Sequence, residues 1–312
     1  MRKVAVVAIL FSVLYLTFLY SQTKNNFNSE GMVKVLDAML YYKSVGGGDT
    51  IVILHGGPGL DQTYLQPQVD ELSKNHTIIY FDQRGTGKST GAIDSVHITP
   101  EQFVNDLEAV RKTLKIKKMN LLGHSWGGLL AMYYGIAYPE NLKSLILVSS
   151  AGASSDFIGP FIKTRTARTT HEDSIALATL VTSEEFAKHT PDAISKFTRL
   201  TFATYFFNRT YLDSLNLHLN QTTANNFLPL YGLMSMYLAN YDLYPKLTAI
   251  QCPTLILHGD YDPIPVEFSQ KLTGYIKHSQ FILLQHCGHF PFVEVQKDFI
   301  QHCEHFLDQT TQ

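Results

Sequence analysis

Short runs of continuous apolar residues, separated by helical patterns, constrain the fold of this chain more than any other feature. A strand with one face in solvent alternates apolar and polar residues, whereas a strand covered on both faces is apolar throughout. The continuous runs occupy residues 51–54, 78–81, 119–122, 145–148, 254–257 and 281–284. Covered strands that alternate with helices predict a mostly parallel, doubly wound α/β sheet. Val33 to Lys43, turning near Asp37, predicts an opening antiparallel hairpin.

The clearest helical pattern runs from Pro100 to about Ile116. Thr99 is placed to cap its first turn, Pro100 suits the first helical position, and Gln102 is placed to close a capping box. Composition fits this picture, because 45% hydrophobic and 17% charged residues in a chain of 312 suit one large globular unit.

The alternation of strands and helices stops between residues 151 and 247. This stretch has helical patterns and many aromatic residues but no convincing strand. We predict that it is a helical cap, inserted after the strand that ends near Val148. The flanking stretches, 30–150 and 248–308, then form the two parts of one core domain. The cap is expected to cover the edge of the sheet at which the strands end, where ligands bind in such folds.

The motif Gly-His-Ser-Trp-Gly occupies residues 123–127, between an apolar run and a helical pattern that Pro139 ends. A strand, G-x-S-x-G and a helix in this order are the context of a nucleophile elbow. Such a tight turn strains the backbone at the serine and leaves no room for side chains beside it. Ser125 is therefore the candidate nucleophile.

A serine nucleophile needs a base, and the base needs an acid that fixes its tautomer. Candidates for both follow later strands, Asp260 and Asp262 after residues 254–257, and His286 and His289 after residues 281–284. We prefer Asp262 for its place in the motif, with Asp260 ordering the turn. We prefer His289 because the preceding glycine permits a close approach.

Residues 55–59, His-Gly-Gly-Pro-Gly, follow the first apolar run. Small residues let backbone N–H groups approach a developing oxyanion, and we expect the N–H groups of Gly57 and Trp126 to form that hole. His55 is expected to brace the loop rather than take part in chemistry. Ser125, Asp262, His289 and this loop together predict an enzyme that hydrolyses through an acyl-enzyme.

Four motifs together resemble the proline iminopeptidase family of α/β-hydrolases. They are the segments at residues 55–59, 82–89, 123–128 and 286–289. The resemblance covers residues 30–150 and 248–308, and it implies an α/β-hydrolase fold with an inserted cap. It also implies release of N-terminal proline or another small residue from short peptides, without metal or cofactor. By resemblance, Asp82 and Arg84 hold a structural loop, and the Gly57–Pro58 bond is cis.

One position departs from the family pattern. Many members carry a glutamate after the triad aspartate, which neutralises the substrate's ammonium with a second glutamate from the cap; here that position is Pro263. Burying an unpaired ammonium is costly, so Glu184 and Glu185 in the cap are the candidate replacements. We therefore predict an aminopeptidase first; without such a carboxylate, the alternative is that the site takes an uncharged ester, lactone or amide. A non-catalytic, ligand-binding protein of the same fold is the remaining alternative.

The N-terminal sequence predicts that the protein is exported from the cytosol. Arg2 and Lys3 precede an apolar run from Val4 to Tyr20, which reads as a cleaved signal peptide or a membrane anchor over residues 1–21. Both alternatives place the catalytic body outside the cytosol, as a secreted, periplasmic or membrane-anchored protein.

Composition and motifs argue against several other classes of protein and binding site. A net charge of −2 offers no basic surface for nucleic acid. Residues 85–89 resemble a phosphate loop, but Asp82 stands where that loop requires glycine. Three cysteines form no disulfide framework, and using His289 as a zinc ligand removes the base. We therefore expect no metal or cofactor, and a small peptide, ester or amide as substrate; oligomeric state stays open.

Overall fold

A computed structural model describes residues 28–310 of the chain. Its eight strands form one sheet in the order β1-β2-β4-β3-β5-β6-β7-β8. The β1–β2 and β2–β4 pairs are antiparallel, and all other pairs are parallel. The strands are β1 Ser29–Lys34, β2 Met39–Gly46, β3 Thr50–Leu54, β4 Thr77–Phe81, β5 Met119–His124, β6 Leu142–Val148, β7 Thr254–Gly259 and β8 Ser279–Leu284. The predicted sheet and its opening hairpin are confirmed.

Helices connect the strands and fill the stretch between β6 and β7. They are α1 Pro100–Thr113, α2 Trp126–Ala137, α3 Ile158–Arg168, α4 His171–Val181, α5 Glu184–Ala187, α6 Pro191–Phe202, α7 Gln221–Leu238, α8 Val266–Lys271, α9 Pro291–Glu294 and α10 Gln296–Thr310. Among residues 28–310, none of these is both long and apolar enough to cross a membrane. The predicted signal or anchor over residues 1–21 lies outside the described residues.

The two faces of the sheet pack against separate hydrophobic cores. Along β3, Val52 and Leu54 belong to one core, and Ile51 and Ile53 belong to the other. Helices α1 and α2 contribute to the first core, and α10 contributes to the second. Because successive side chains of a strand point to opposite faces, coverage of both faces explains the continuous apolar runs.

Helix α1 begins as predicted but ends earlier. The Thr99 side chain accepts a hydrogen bond from the backbone N–H of Gln102, which satisfies one of the free N–H groups of the first turn. The predicted capping box is wrong, because the Gln102 amide donates to Asp106 at 3.1 Å. Asp106 also pairs with Arg84, so the need to complete a buried ion pair outweighs the local cap.

The cap segment (residues 151–247) contains α3 to α7 and docks on the loops at the carboxyl ends of the strands. Thr223, in the first turn of α7, donates to Asp61 at 2.8 Å and accepts from the backbone N–H of Gly87 at 2.7 Å. Asn226 donates to the carbonyl of Gly85 at 2.8 Å. An isolated bridge between Ser154 and Asp242 joins the two ends of the segment. The cap segment therefore covers the edge at which β3, β5, β7 and β8 end.

Candidate active site

Ser125 lies on a strained turn between β5 and α2. Its φ of 57° and ψ of −119° are outside the regions that ordinary residues adopt. Several hydrogen bonds hold this conformation: the Ser125 N–H donates to Val148 at 3.0 Å, and the Ser125 carbonyl accepts from Ala151 at 3.0 Å. The side chain remains partly exposed, at the N-terminus of α2. This is the geometry that the motif predicted.

Glycines on both sides of Ser125 are required by close backbone contacts. A Cβ atom at Gly123 would lie 2.2 Å from the carbonyl oxygen of Gly127. A Cβ at Gly127 would lie 2.2 Å from the carbonyl oxygen of Leu54. Any side chain at either position therefore forces the turn apart and displaces Ser125.

His289 and Asp262 form a buried pair at the ends of two neighbouring strands. The Nδ1 atom of His289 lies 3.0 Å and 2.9 Å from the two carboxylate oxygens of Asp262. Burial alone would raise the pKa of Asp262, but His289, His258 and the N–H of Ile264 outweigh it and lower this pKa to about 2. Asp262 is therefore ionised, and its carboxylate accepts from Nδ1–H of His289, which leaves Nε2 as the ring atom that can act as a base.

The two alternative residues lie elsewhere in the same loops. Asp260 accepts a hydrogen bond from the backbone N–H of Cys287 at 3.0 Å, so it orders the loop that carries His289. His286 is exposed and packs against the Phe207 ring at 5.3 Å. The structure thus brings Asp262 and His289 together, and it places Asp260 and His286 outside the pair.

Gly57 and Trp126, whose N–H groups are the candidate oxyanion donors, lie around the same small cavity as Ser125 and His289. Gly57 and Trp126 both line it, and neither N–H has a hydrogen-bond partner within residues 28–310. Gly57 has a φ of 134°, and the Gly57–Pro58 bond is cis, as the family resemblance implies. Free N–H donors beside the nucleophile are what an oxyanion hole requires, and the assignment of Gly57 and Trp126 to that role stays a prediction.

Residues around Gln83 brace the loop that contains Gly57. His55 accepts from the backbone N–H of Gln83 at 3.0 Å, and the Gln83 amide donates to the His55 carbonyl at 2.8 Å. The Gln83 side-chain oxygen also accepts from the Trp126 indole at 2.9 Å. Burial lowers the pKa of His55 to about 4, so the ring is neutral and structural. His55 thus has the bracing position that we predicted.

Arg84 holds the loop of residues 82–89 through two ion pairs. Its guanidinium lies 2.7 Å from Asp106 and 2.9 Å from Asp37, and its side chain is fully buried. Asp82 accepts from the backbone N–H groups of Gln62 and Lys88. Both residues therefore contact protein groups rather than the cavity.

A second brace, which sequence reasoning missed, runs through Tyr64 and His124. The Tyr64 hydroxyl accepts from the Gly56 N–H at 2.6 Å and donates to Nδ1 of His124 at 2.7 Å. Nε2 of His124 then donates to the carbonyl of His289 at 2.8 Å. No local signal marks Tyr64, because its partners lie far away in sequence. This chain of hydrogen bonds joins the Gly57 loop to the loop of His289.

The cavity beside Ser125 is small and apolar, with a volume of about 110 Å³. No carboxylate side chain is among the described residues that line it. Burial, opposed by Arg165, raises the pKa of Tyr205 above its usual value, so this phenol is neutral. The lining is Gly56, Gly57, Pro58, Leu60, Tyr64, His124, Ser125, Trp126, Ala151, Phe157, Phe161, Phe202, Tyr205, Tyr231, Leu238, Ile264, His289 and Phe290.

The structure places Glu184 and Glu185 away from this cavity. Glu184 is 75% exposed and pairs with Lys188, which directly follows α5. Glu185 lines a separate open groove that also contains Asp192 and Lys196. Both glutamates occupy the first turn of α5, where the helix dipole favours negative charge. Their place in the exposed first turn of a helix accounts for both glutamates. Neither takes the role of the glutamate that family members carry where this chain has Pro263.

The sequence is similar to known hydrolases over most of its length. A sequence profile described as the alpha/beta hydrolase fold matches residues 49–295. A proline iminopeptidase of Lactobacillus helveticus (strain DPC 4571) is 30% identical over 305 residues, which cover 90% of this chain and 98% of the relative. A proline iminopeptidase of Saccharolobus solfataricus is 26% identical over 307 residues, covering 90% and 92%.

Solved structures share the same fold. A proline iminopeptidase from Mycobacterium smegmatis superposes with a TM-score of 0.66 at 22% identity, covering 90% of this chain and 98% of that one. A thermophilic esterase from Thermogutta terrifontis gives 0.68 at 22% identity, covering 91% and 100%. Peptidases and esterases are both among these neighbours, so overall shape does not choose between their substrates.

Proposed function

The chain belongs to the proline iminopeptidase family of α/β-hydrolases, and from this premise we propose that it is a serine hydrolase that forms an acyl-enzyme on Ser125. The observation that carries the proposal is the buried contact between Asp262 and His289, beside a strained Ser125. A serine hydroxyl is a weak nucleophile until a positioned base accepts its proton. His289, oriented by its contact with Asp262, supplies that base.

The reaction proceeds in two steps. His289 takes the proton of Ser125 while Oγ attacks the substrate carbonyl, and the resulting imidazolium is stabilised by the charge of Asp262. The oxyanion accepts hydrogen bonds from the Gly57 and Trp126 N–H groups, and His289 passes its proton to the leaving group. Water, activated by the same histidine, then hydrolyses the acyl-enzyme. The free N–H groups and the N-terminus of α2 favour the negative charge that forms.

We propose a carboxylic ester or lactone as the substrate, with an apolar chain next to the carbonyl that Ser125 attacks. The cavity walls are largely aromatic and aliphatic, and no carboxylate lines them within the described chain. A free ammonium in such a cavity has no counter-charge, and burying an unpaired charge costs several kcal/mol, of order 3–5. An ester or lactone without an ammonium beside the reacting carbonyl has no such cost.

Aminopeptidase action on N-terminal proline is the second candidate. The observation that favours it is the 30% identity, over nearly the whole chain, to a proline iminopeptidase. A pyrrolidine ring also suits a cavity of about 110 Å³. This candidate requires the ammonium to be balanced by a group other than Glu184, Glu185 or a residue at position 263.

Three substrates separate the candidates. The full chain is assayed with prolyl p-nitroanilide, its N-acetylated form and p-nitrophenyl butyrate, each beside the Ser125→Ala variant. We expect serine-dependent cleavage of the ester, with little cleavage of either anilide. Serine-dependent cleavage of the free-amine anilide that is lost on N-acetylation establishes the aminopeptidase. Hydrolysis that survives Ser125→Ala for every substrate refutes both.

A further inference from the structure

A second cavity, of about 280 Å³, adjoins the one beside Ser125. Its wall is shared with the first cavity at Gly57, Pro58, Leu60, Phe202, Tyr205 and Tyr231. The remaining wall is Phe197, Thr201, Phe227 and Leu228, together with Arg165 from the last turn of α3. Arg165 is the only charged side chain among the described residues that line either cavity.

The guanidinium of Arg165 has no anionic partner within residues 28–310. Its centre lies 5.5 Å from the Phe161 ring and 5.6 Å from the Tyr205 ring. Its Nε atom is buried and has no hydrogen-bond partner there. A buried N–H without an acceptor costs free energy, so the position is one that a ligand oxygen would stabilise.

Two other arginines of the cap segment, Arg168 and Arg209, contact polar groups of the protein. Arg168, one turn later in α3, donates to the carbonyl of Tyr261 at 2.8 Å and stacks on its ring at 3.7 Å. Arg209 pairs with Asp173 at 2.8 Å. Arg165 differs from both, because its charge faces a cavity that leads to the candidate nucleophile.

We propose that Arg165 binds a carboxylate at the far end of the substrate from the carbonyl that Ser125 attacks. The substrate class is a half-ester of a dicarboxylic acid, with its methylene chain along the aromatic walls. A guanidinium matches a carboxylate through paired N–H donors, and low polarity strengthens that contact. This inference deepens the proposed function and rests on it for the statement that the ligand is hydrolysed.

Binding to the full-length Ser125→Ala protein tests the site without requiring turnover. Isothermal titration calorimetry at neutral pH compares monomethyl adipate, which carries one carboxylate, with dimethyl adipate, in which that carboxylate is masked. Succinate and suberate pairs vary the chain length. We expect at least one half-ester to bind roughly tenfold or more tightly than its diester, as a charge-assisted hydrogen bond implies.

Arg165→Met in the same background should abolish that preference, and Arg165→Lys should keep part of it. Lys163→Met is the matched control, because Lys163 is an exposed cation on the same helix; it should retain the full preference. The proposal is overturned if half-ester and diester bind with equal affinity at every chain length, or if neither binds. It is also overturned if Arg165→Met leaves the preference for the half-ester unchanged. A preference that follows Arg165 without serine-dependent hydrolysis supports the site and rejects the proposed function.

Discussion

His124 Nε2 donates a hydrogen bond to the backbone carbonyl of His289 at 2.8 Å, across 165 residues of sequence. The residue before the candidate nucleophile thus holds the main chain of the candidate base. Since a carbonyl only accepts, the proton of His124 is on Nε2, and Nδ1 accepts from Tyr64. The relative positions of Ser125, His289 and the Gly57 loop depend on this chain of hydrogen bonds.

Tyr64→Phe is expected to lower both stability and turnover. The change leaves the Gly56 N–H and the Nδ1 atom of His124 without partners in a buried site, at a cost of about 1–3 kcal/mol. Tyr80→Phe is the matched control, because Tyr80 is buried and its hydroxyl donates to Asp70, away from the cavity. Urea unfolding and kcat are measured for both variants. Equal kcat in the two variants would contradict a positioning role for Tyr64.

Stability should fall in acid partly because His124 is held neutral. Burial and nearby His289 lower its pKa from 6.5 to about 3. Below 6.5 the unfolded chain binds a proton that the folded protein excludes, so this contribution is complete above 6.5 and declines towards about 3. The slope reaches at most about 1.4 kcal/mol per pH unit.

His124→Asn is expected to remove that part of the pH dependence. The variant is less stable at neutral pH, because the Tyr64 and His289 contacts are weakened, but its unfolding free energy should change less steeply in acid. Denaturant unfolding at a series of pH values measures both slopes. Parallel curves for the wild type and the variant would show that His124 is not the residue responsible.

Glu294 is expected to matter for the position of His289. Its carboxylate accepts from the Gly288 N–H at 2.7 Å and from the Asn208 N–H at 2.9 Å, joining the loop of His289 to the cap segment. Glu294→Gln presents an amide donor to one of these N–H groups, which should destabilise the protein by about 1–3 kcal/mol and lower kcat. Asp260→Asn is the comparison, because the exposed carboxylate of Asp260, in the loop after β7, accepts one N–H bond from the loop of His289. A larger loss of stability and kcat in Asp260→Asn than in Glu294→Gln would contradict the greater importance of Glu294.

Gly57→Ala should reduce kcat by about 10²–10³, the usual effect of losing one oxyanion-hole donor. A Cβ at Gly57 would lie 2.6 Å from the Gly59 nitrogen and 2.9 Å from the Leu60 nitrogen, at a φ of 134° that strains any other residue. The loop must shift, and the Gly57 N–H moves with it. Gly274→Ala is the control, because no atom lies within 4 Å of the added carbon. Unchanged turnover in Gly57→Ala would place the oxyanion elsewhere.

Sequence reasoning succeeded where a local pattern has one physical meaning. Continuous apolar runs predicted the covered sheet, and the motif around Ser125 predicted the strained turn. It failed where long-range contacts decide the outcome. Gln102 pairs with Asp106 instead of closing a capping box, because Asp106 lies at a buried ion pair.

The hydrogen bonds that position the site could not be predicted from the sequence, for the same reason. Tyr64 and His124 are 60 residues apart, and Glu294 contacts Asn208 across 86 residues. No local sequence pattern predicted the charged side chain in the wall of the second cavity either. Arg165 looks like any other surface arginine of an amphipathic helix until the fold turns it towards the aromatic wall.

The central claim is that Ser125 carries the acyl group. The full chain is mixed with p-nitrophenyl acetate, quenched in acid within one turnover and mapped by peptide mass spectrometry. We expect one acetyl group on Ser125, no acetyl group at that position in Ser125→Ala, and a loss of about 10⁵–10⁶ in kcat for that variant. An acetyl group on another residue, or turnover in Ser125→Ala close to that of the wild type, would contradict it.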